Sequence, residues 1–168
     1  MAKIETIGVL GAGQMGGGIA QVAAAHGKTV LLADVDKARA EAGKAKIEKL
    51  LGRAVEKGKL TADARDATLA RIVPVDDVGA FGDAALAIEA ATENIELKRK
   101  LMRVLDGACK PGAILATNTS SISITLLAAE TKRPADVVGM HFMNPVPVME
   151  LVEIIRGLPT SDETYETT

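Results

Sequence analysis

The sequence has no tryptophan, one tyrosine (Tyr165) and two phenylalanines (Phe81 and Phe142). A surface for single-stranded nucleic acid needs flat rings on which bases stack, and so few aromatics do not build one. There is one cysteine, Cys109, so no intramolecular disulfide can form, which suits a reducing compartment. Charge of neither sign is in excess: 20 Lys and Arg stand against 22 Asp and Glu, a formal net charge of −2. That balance offers no electrostatic footprint for nucleic acid or an anionic membrane. No apolar run approaches the roughly 20 residues that cross a bilayer. Lys3, Glu5 and Gly8 interrupt the N-terminus, which does not read as a signal peptide. A cytoplasmic protein with no nucleic-acid partner, no membrane partner and no metal site is expected.

What is present is an ordinary globular composition, 48% apolar and 25% charged over 168 residues, enough for one domain with its own core. Short apolar runs alternate with helical patterns. Ile4 to Leu10 reads as a buried strand, and Gly11 to Gly13 as a turn. Met15, Ile19, Val22 and Ala23 then recur at helical spacing until Gly27 stops the helix. Thr29 to Ala33 is a second strand, ending at Asp34. A long helix is expected from Asp36 to about Lys57, with Ala40, Ile47, Leu50, Leu51, Ala54 and Val55 as its stripe. Gly43 and Gly52 disfavour that helix locally. Thr61 can cap a short helix to Ala70. Pro74 confines the Ile72 to Val75 run to a sheet edge or strand end.

Leu86 to Ala91 is the next strand. A helix from about Asn94 to Ala108 should bury Leu97, Leu101, Val104, Leu105 and Ala108. Ala113 to Thr117, a short helix near Ser123 to Glu130, and Val137 to Phe142 follow. A rigid loop at Pro145 and Pro147 then leads to a last strand, Met149 to Ile155. Apolar strands alternating with helices indicate a parallel sheet covered on both faces. Right-handed crossovers make the simplest topology a doubly wound, mostly parallel α/β sheet of Rossmann type, spanning residues 1–168.

Gly11-Ala12-Gly13-Gln14-Met15-Gly16 matches G-x-G-x-x-G between a predicted strand and a predicted helix, the context that gives that string its value. Gly11 permits the tight turn, Gly13 a close approach of backbone to a pyrophosphate, and Gly16 close helix–strand packing. The helix start offers free N–H groups to phosphates. Asp34, 18 residues after Gly16, can accept hydrogen bonds from an adenosine ribose and would repel a 2′-phosphate, which favours NAD over NADP. The plainer alternative is a tight turn and a solvated strand end. Gly17 and Gly18 allow close packing and are given no binding role.

Glu153 sits in the otherwise apolar run Leu151-Val152-Glu153-Ile154-Ile155, where a buried carboxylate needs a partner. His26 reads as a helix-end residue beside Gly27. His141 lies near the C-terminal end of a predicted strand, the edge where open α/β sheets bind ligands. The chain turns after His141 and returns as a possible neighbouring strand, so His141 and Glu153 can meet. A carboxylate on an imidazole fixes its tautomer and supports its charged form, which makes a general base for an alcohol proton. From the residues alone this pair is catalytic or merely structural. Thr117-Asn118-Thr119-Ser120-Ser121 is either a polar turn before a cap at Ser123 or a set of groups that orient a substrate oxygen. Glu93 and Lys98 read locally as a helix-start charge and a surface ion pair.

Together Gly11–Gly16, Ala91-Thr92-Glu93-Asn94, Asn118-Thr119-Ser120-Ser121, Gly139-Met140-His141-Phe142 with Asn144-Pro145, and Glu150-Leu151-Val152-Glu153 resemble the 3-hydroxyacyl-CoA dehydrogenase family, in order and spacing. The bacterial branch acting on 3-hydroxybutyryl-CoA is most similar. The resemblance implies that His141 exchanges a proton with the substrate 3-hydroxyl, that Glu153 orients His141, and that Ser120 bonds the reacting oxygen beside the nicotinamide. It implies NAD contacts at Gly11, Gly13, Gln14, Met15, Gly16, Asp34, Glu93, Lys98, Ser120 and Asn144. It places CoA near the basic residues from Lys44 to Lys57. It also implies an acyl-CoA substrate, a homodimeric parent and a further helical domain, so the chain is expected to be a fragment with impaired turnover. A non-catalytic NAD-binding module is the alternative. A related two-domain dehydrogenase using a lysine base is a third reading, and the His141/Glu153 placement argues against it.

Overall fold

The computed structural model describes residues 4–168. At its centre lies a seven-stranded sheet of β1 (Thr6–Leu10), β2 (Thr29–Ala33), β3 (Ile72–Pro74), β4 (Leu86–Glu89), β5 (Ile114–Thr117), β6 (Val137–Phe142) and β7 (Val152–Arg156). The order is β3-β2-β1-β4-β5-β6-β7. The pairings from β3 through β6 are parallel, and β7 alone runs antiparallel, against β6. The helices are α1 (Gln14–Ala25), α2 (Lys37–Glu56), α3 (Ala62–Ala70), α4 (Ile95–Ala108), α5 (Ile124–Ala128) and α6 (Asp162–Thr167). This is the doubly wound, Rossmann-type sheet that the alternation of strands and helices predicts.

The period-2 geometry of the strands splits the core in two. On one face Val9, Val30, Leu32 and Ile88 pack with Ile19 of α1 and with Ile47 and Leu51 of α2. On the other, Leu10, Ala87 and Leu115 pack with Met102 and Leu105 of α4 and Leu127 of α5. Helix starts are fixed by side chains that accept backbone N–H groups: Asp36 for α2, Thr61 for α3, Asn94 for α4 and Ser123 for α5. Pro74 lies in the edge strand β3, as its missing N–H requires.

Three elements differ from expectation. A 3₁₀ segment at Val78–Asp83 was not legible, and it places Phe81 against Gly8, where a Cβ would lie 2.5 Å from the ring. Helix α4 is rotated: it buries Lys98, Met102 and Leu105, while Leu97 and Val104 are 37% and 39% exposed. Hydropathy cannot anticipate that face, because a lysine is drawn inward by an anion inside the protein. In α2 the stripe narrows to Ala40, Gly43, Ile47 and Leu51, and Leu50 is exposed. Among the described residues no helix is long and apolar enough to cross a membrane, and no group of three or more His, Cys, Asp or Glu is placed to hold a metal ion.

Candidate active site at the sheet switch point

From β1 the chain crosses to β2 on one side of the sheet, and from β4 it crosses to β5 on the other. A crevice opens above the C-terminal ends of β1 and β4. The glycine fingerprint forms its floor. Gly11 has φ +108°, and a Cβ there would lie 2.6 Å from the Ala90 carbonyl oxygen. A Cβ on Gly16 would lie 1.7 Å from the Gly11 carbonyl oxygen, so only glycine lets α1 start this close to β1. Nothing stands within 4 Å of the corresponding point on Gly13, which leaves the loop open to an approaching group. Helix α1 has no side-chain cap, so its first N–H groups remain for an anion. Gly43 brings α2 onto the loop, where a Cβ would meet that of Ala12 at 2.7 Å. Gly18 makes room for Val146 of the proline-containing loop.

Asp34 ends β2. Its Oδ2 accepts the Ala12 N–H at 2.6 Å and its Oδ1 accepts the Val35 N–H at 2.7 Å. Each oxygen keeps lone-pair capacity for a hydroxyl. Asp34 lines a cavity with Gly11, Gly13, Arg39, Ala91 and Leu97. That cavity adjoins a second one, across Ala90 and Ala91, lined by Met15, Glu93, Asn118, Ser120, His141 and Asn144. Loop, carboxylate and paired cavities suit a dinucleotide laid across the switch point. Gln14 donates to Asn144 Oδ1 at 3.0 Å, so these two expected cofactor residues brace one another across the crevice.

His141 and Glu153 face each other in the antiparallel β6–β7 ladder. Directly opposed residues bring their side chains together. Here His141 Nδ1 lies 2.8 Å from Glu153 Oε2. An ionised carboxylate only accepts, so Nδ1 carries the proton and Nε2 is left with a free lone pair. His141 borders the second cavity, with 20% of its side chain exposed. Glu153 is 52% exposed on edge strand β7, which corrects the expectation of a buried carboxylate: the edge strand faces solvent on one side. His26 caps the end of α1, its Nδ1 2.8 Å from the Val22 carbonyl oxygen, as a helix-end residue should.

Ser120 is exposed at the end of β5, and its N–H donates to Glu93 Oε1 at 3.3 Å. Glu93 also accepts from the Thr119 hydroxyl, and from Ser121 Oγ at 3.3 Å. Partial burial pushes the Glu93 carboxyl up. The Thr119 hydroxyl, the Lys98 ammonium and the Ser120 N–H outweigh that and hold it below the usual carboxylate range. Lys98 is not in a surface ion pair. It is 1% exposed, borders neither cavity and donates to both oxygens of Glu89 at 2.8 and 2.9 Å. Glu89 is fully buried and went unnoticed in the sequence, although it sits in Leu86-Ala87-Ile88-Glu89, a carboxylate in an apolar strand like Glu153.

These features define a dinucleotide-binding α/β domain with a hydrogen-bonded histidine–glutamate pair at one end of its crevice. The model of the 3-hydroxyacyl-CoA dehydrogenase NAD-binding domain matches residues 6–168, and the chain belongs to that family. It is 55% identical over 157 residues to a probable 3-hydroxybutyryl-CoA dehydrogenase of Deinococcus radiodurans, covering 94% of this chain and 56% of that protein. It is 51% identical over 165 residues to the 3-hydroxybutyryl-CoA dehydrogenase of Bradyrhizobium diazoefficiens, covering 98% of this chain and again 56% of that protein. The crystal structure of 3-hydroxybutyryl-CoA dehydrogenase from Escherichia coli K12 superposes with a TM-score of 0.95 at 47% identity, covering 99% of this chain and 35% of that one. The chain thus spans about half the length of the two curated relatives.

Proposed function

We propose that this domain supplies the cofactor-binding and proton-transfer half of an NAD-dependent dehydrogenase that interconverts 3-hydroxyacyl-CoA and 3-oxoacyl-CoA, with 3-hydroxybutyryl-CoA as the first substrate to try. The observation that carries the reading is the His141–Glu153 hydrogen bond at the rim of the cavity that also holds Ser120. When bound, NAD supplies the acceptor for the hydride leaving the carbinol carbon. His141 Nε2 takes the hydroxyl proton as that hydride departs, which leaves a carbonyl on the substrate and an imidazolium on the protein. Glu153 holds the ring through Nδ1–H and offsets the new charge. Ser120 presents its hydroxyl to the reacting oxygen. Gly13 and the start of α1 seat the pyrophosphate, and Asp34 takes the adenosine ribose. In the reverse direction His141 returns the proton to the forming alkoxide.

The test is NADH oxidation by acetoacetyl-CoA, followed by nicotinamide absorbance in a full-length dehydrogenase carrying this domain. His141→Ala should lower turnover by roughly 10²- to 10⁴-fold while NADH still binds. Undiminished turnover in that variant would remove His141 from the chemistry. NADH binding with no turnover in any setting would leave a non-catalytic NAD-binding module.

A further inference from the structure

Glu89 of β4 and Lys98 of α4 are 0% and 1% exposed and paired at 2.8 Å. Removing two charges from water is expensive, and an apolar pair of similar volume holds a fold as well or better. The proton transfer described above uses neither residue. Their other contacts all lead toward the crevice. Glu89 accepts the Ala91 N–H at 2.7 Å and the Thr117 hydroxyl at 2.7 Å, at the ends of β4 and β5. Lys98 also donates to the Ala91 carbonyl oxygen at 3.2 Å and lies 3.4 Å from Glu93 Oε2. Glu93 in turn grips the hydroxyls of Thr119 and Ser121 and the N–H of Ser120. An unbroken set of polar contacts therefore runs from the buried pair to the turn that carries Ser120, which lines the same cavity as His141.

We infer that the buried Glu89–Lys98 pair is a positioning device for the nicotinamide end of the site: it pins the Ala91–Glu93 wall and, through Lys98, sets Glu93 against the Thr119–Ser121 turn. This rests on the dehydrogenase reading for the use made of that cavity. An apolar pair could fill the space, but it could not fix a carboxylate at the cavity rim. The lowered Glu93 carboxyl, held down by the Thr119 hydroxyl and the Lys98 charge against the upward push of burial, accords with that role. Glu89, Lys98 and Thr117 are positioning residues, because they act through Glu93 and the wall.

The test compares this chain with its Glu89→Gln/Lys98→Met variant, which removes both charges and strands neither. Circular dichroism checks the fold. NADH affinity is read by fluorescence titration, and the titration of Glu93 by carboxyl carbon NMR. Glu130, whose partners are Arg99 and Arg103, serves as internal reference. The expected result is NADH affinity weaker by roughly tenfold, with Glu93 titrating at higher pH and Glu130 unmoved. A fold that merely loosens would not move Glu93 selectively. A folded variant with unchanged NADH affinity, or with Glu93 unmoved, overturns the proposal. Should that variant fail to fold, Thr117→Val removes the hydroxyl that donates to Glu89 and accepts the Thr119 N–H at 3.4 Å, and leaves both charges of the pair in place. It should weaken NADH binding several-fold and raise Glu93, and no change in either overturns the proposal. Absence of NADH binding by the wild-type chain contradicts the dehydrogenase reading itself, whereas wild-type binding with an unaffected variant contradicts only the positioning role.

Discussion

At the scale of the residue, the proposed chemistry rests on which atom of His141 carries a proton. The Glu153 carboxylate can only accept, so the 2.8 Å contact places hydrogen on Nδ1 and frees Nε2. Glu153→Gln keeps an acceptor for that N–H but not the charge that balances an imidazolium. Turnover should fall on the order of 10²-fold or more, with NADH affinity unchanged, as measured by steady-state kinetics beside a binding titration. Equal loss of affinity would mean that Glu153 shapes the cofactor site instead. His141 and Glu153 were legible in the sequence because their positions were unusual: a histidine at a strand end and an acid in an apolar run. The same rule applied to Glu89 finds the carboxylate that is buried. Its partner Lys98 was hidden, since hydropathy treats a lysine as an outward residue.

At the scale of the element, close approach decides the site. Strand alternation, the fingerprint loop, and the caps at Thr61 and Ser123 could all be read from local chemistry. The orientation of α4 and the seating of Phe81 on Gly8 could not, because both depend on residues distant in sequence. Gly43 is another such case: it looks like a flaw in α2 and is the point where α2 meets Ala12. Gly43→Ala would push Ala12 and its Asp34 contact out of place. It should destabilise the chain by about 1–3 kcal/mol, the usual effect of overpacking, and weaken NADH binding. A thermal melt and an NADH titration measure both. Gly52→Ala, with nothing within 4 Å, is the control and should leave NADH binding unchanged.

At the scale of the whole molecule, the ion pairs of Arg99 and Arg103 with Glu130 link α4 to the segment after α5. Glu130 is held below the usual carboxylate range, chiefly by its hydrogen bond to Arg99 and then by Arg103, and Glu93 is also lowered. A carboxyl depressed in the folded state stabilises it at pH above the unfolded value, and that contribution is lost as pH falls through the folded value. Unfolding free energy should therefore decline from the ordinary carboxylate range downward. Arg99→Gln/Arg103→Gln should show a shallower decline in acid denaturation, and an unchanged slope would separate Glu130 from stability. The sheet order brings β1, β2, β4, β5 and β6 to one edge, so residues from Gly11 to Asn144 share one crevice. The most direct measurement of the claim that this crevice does the chemistry is a nuclear Overhauser experiment on the chain saturated with NADH. A contact between the nicotinamide C4 protons and the ring of His141 is the predicted result. Saturated NADH whose nicotinamide protons reach other residues but not His141 would contradict it.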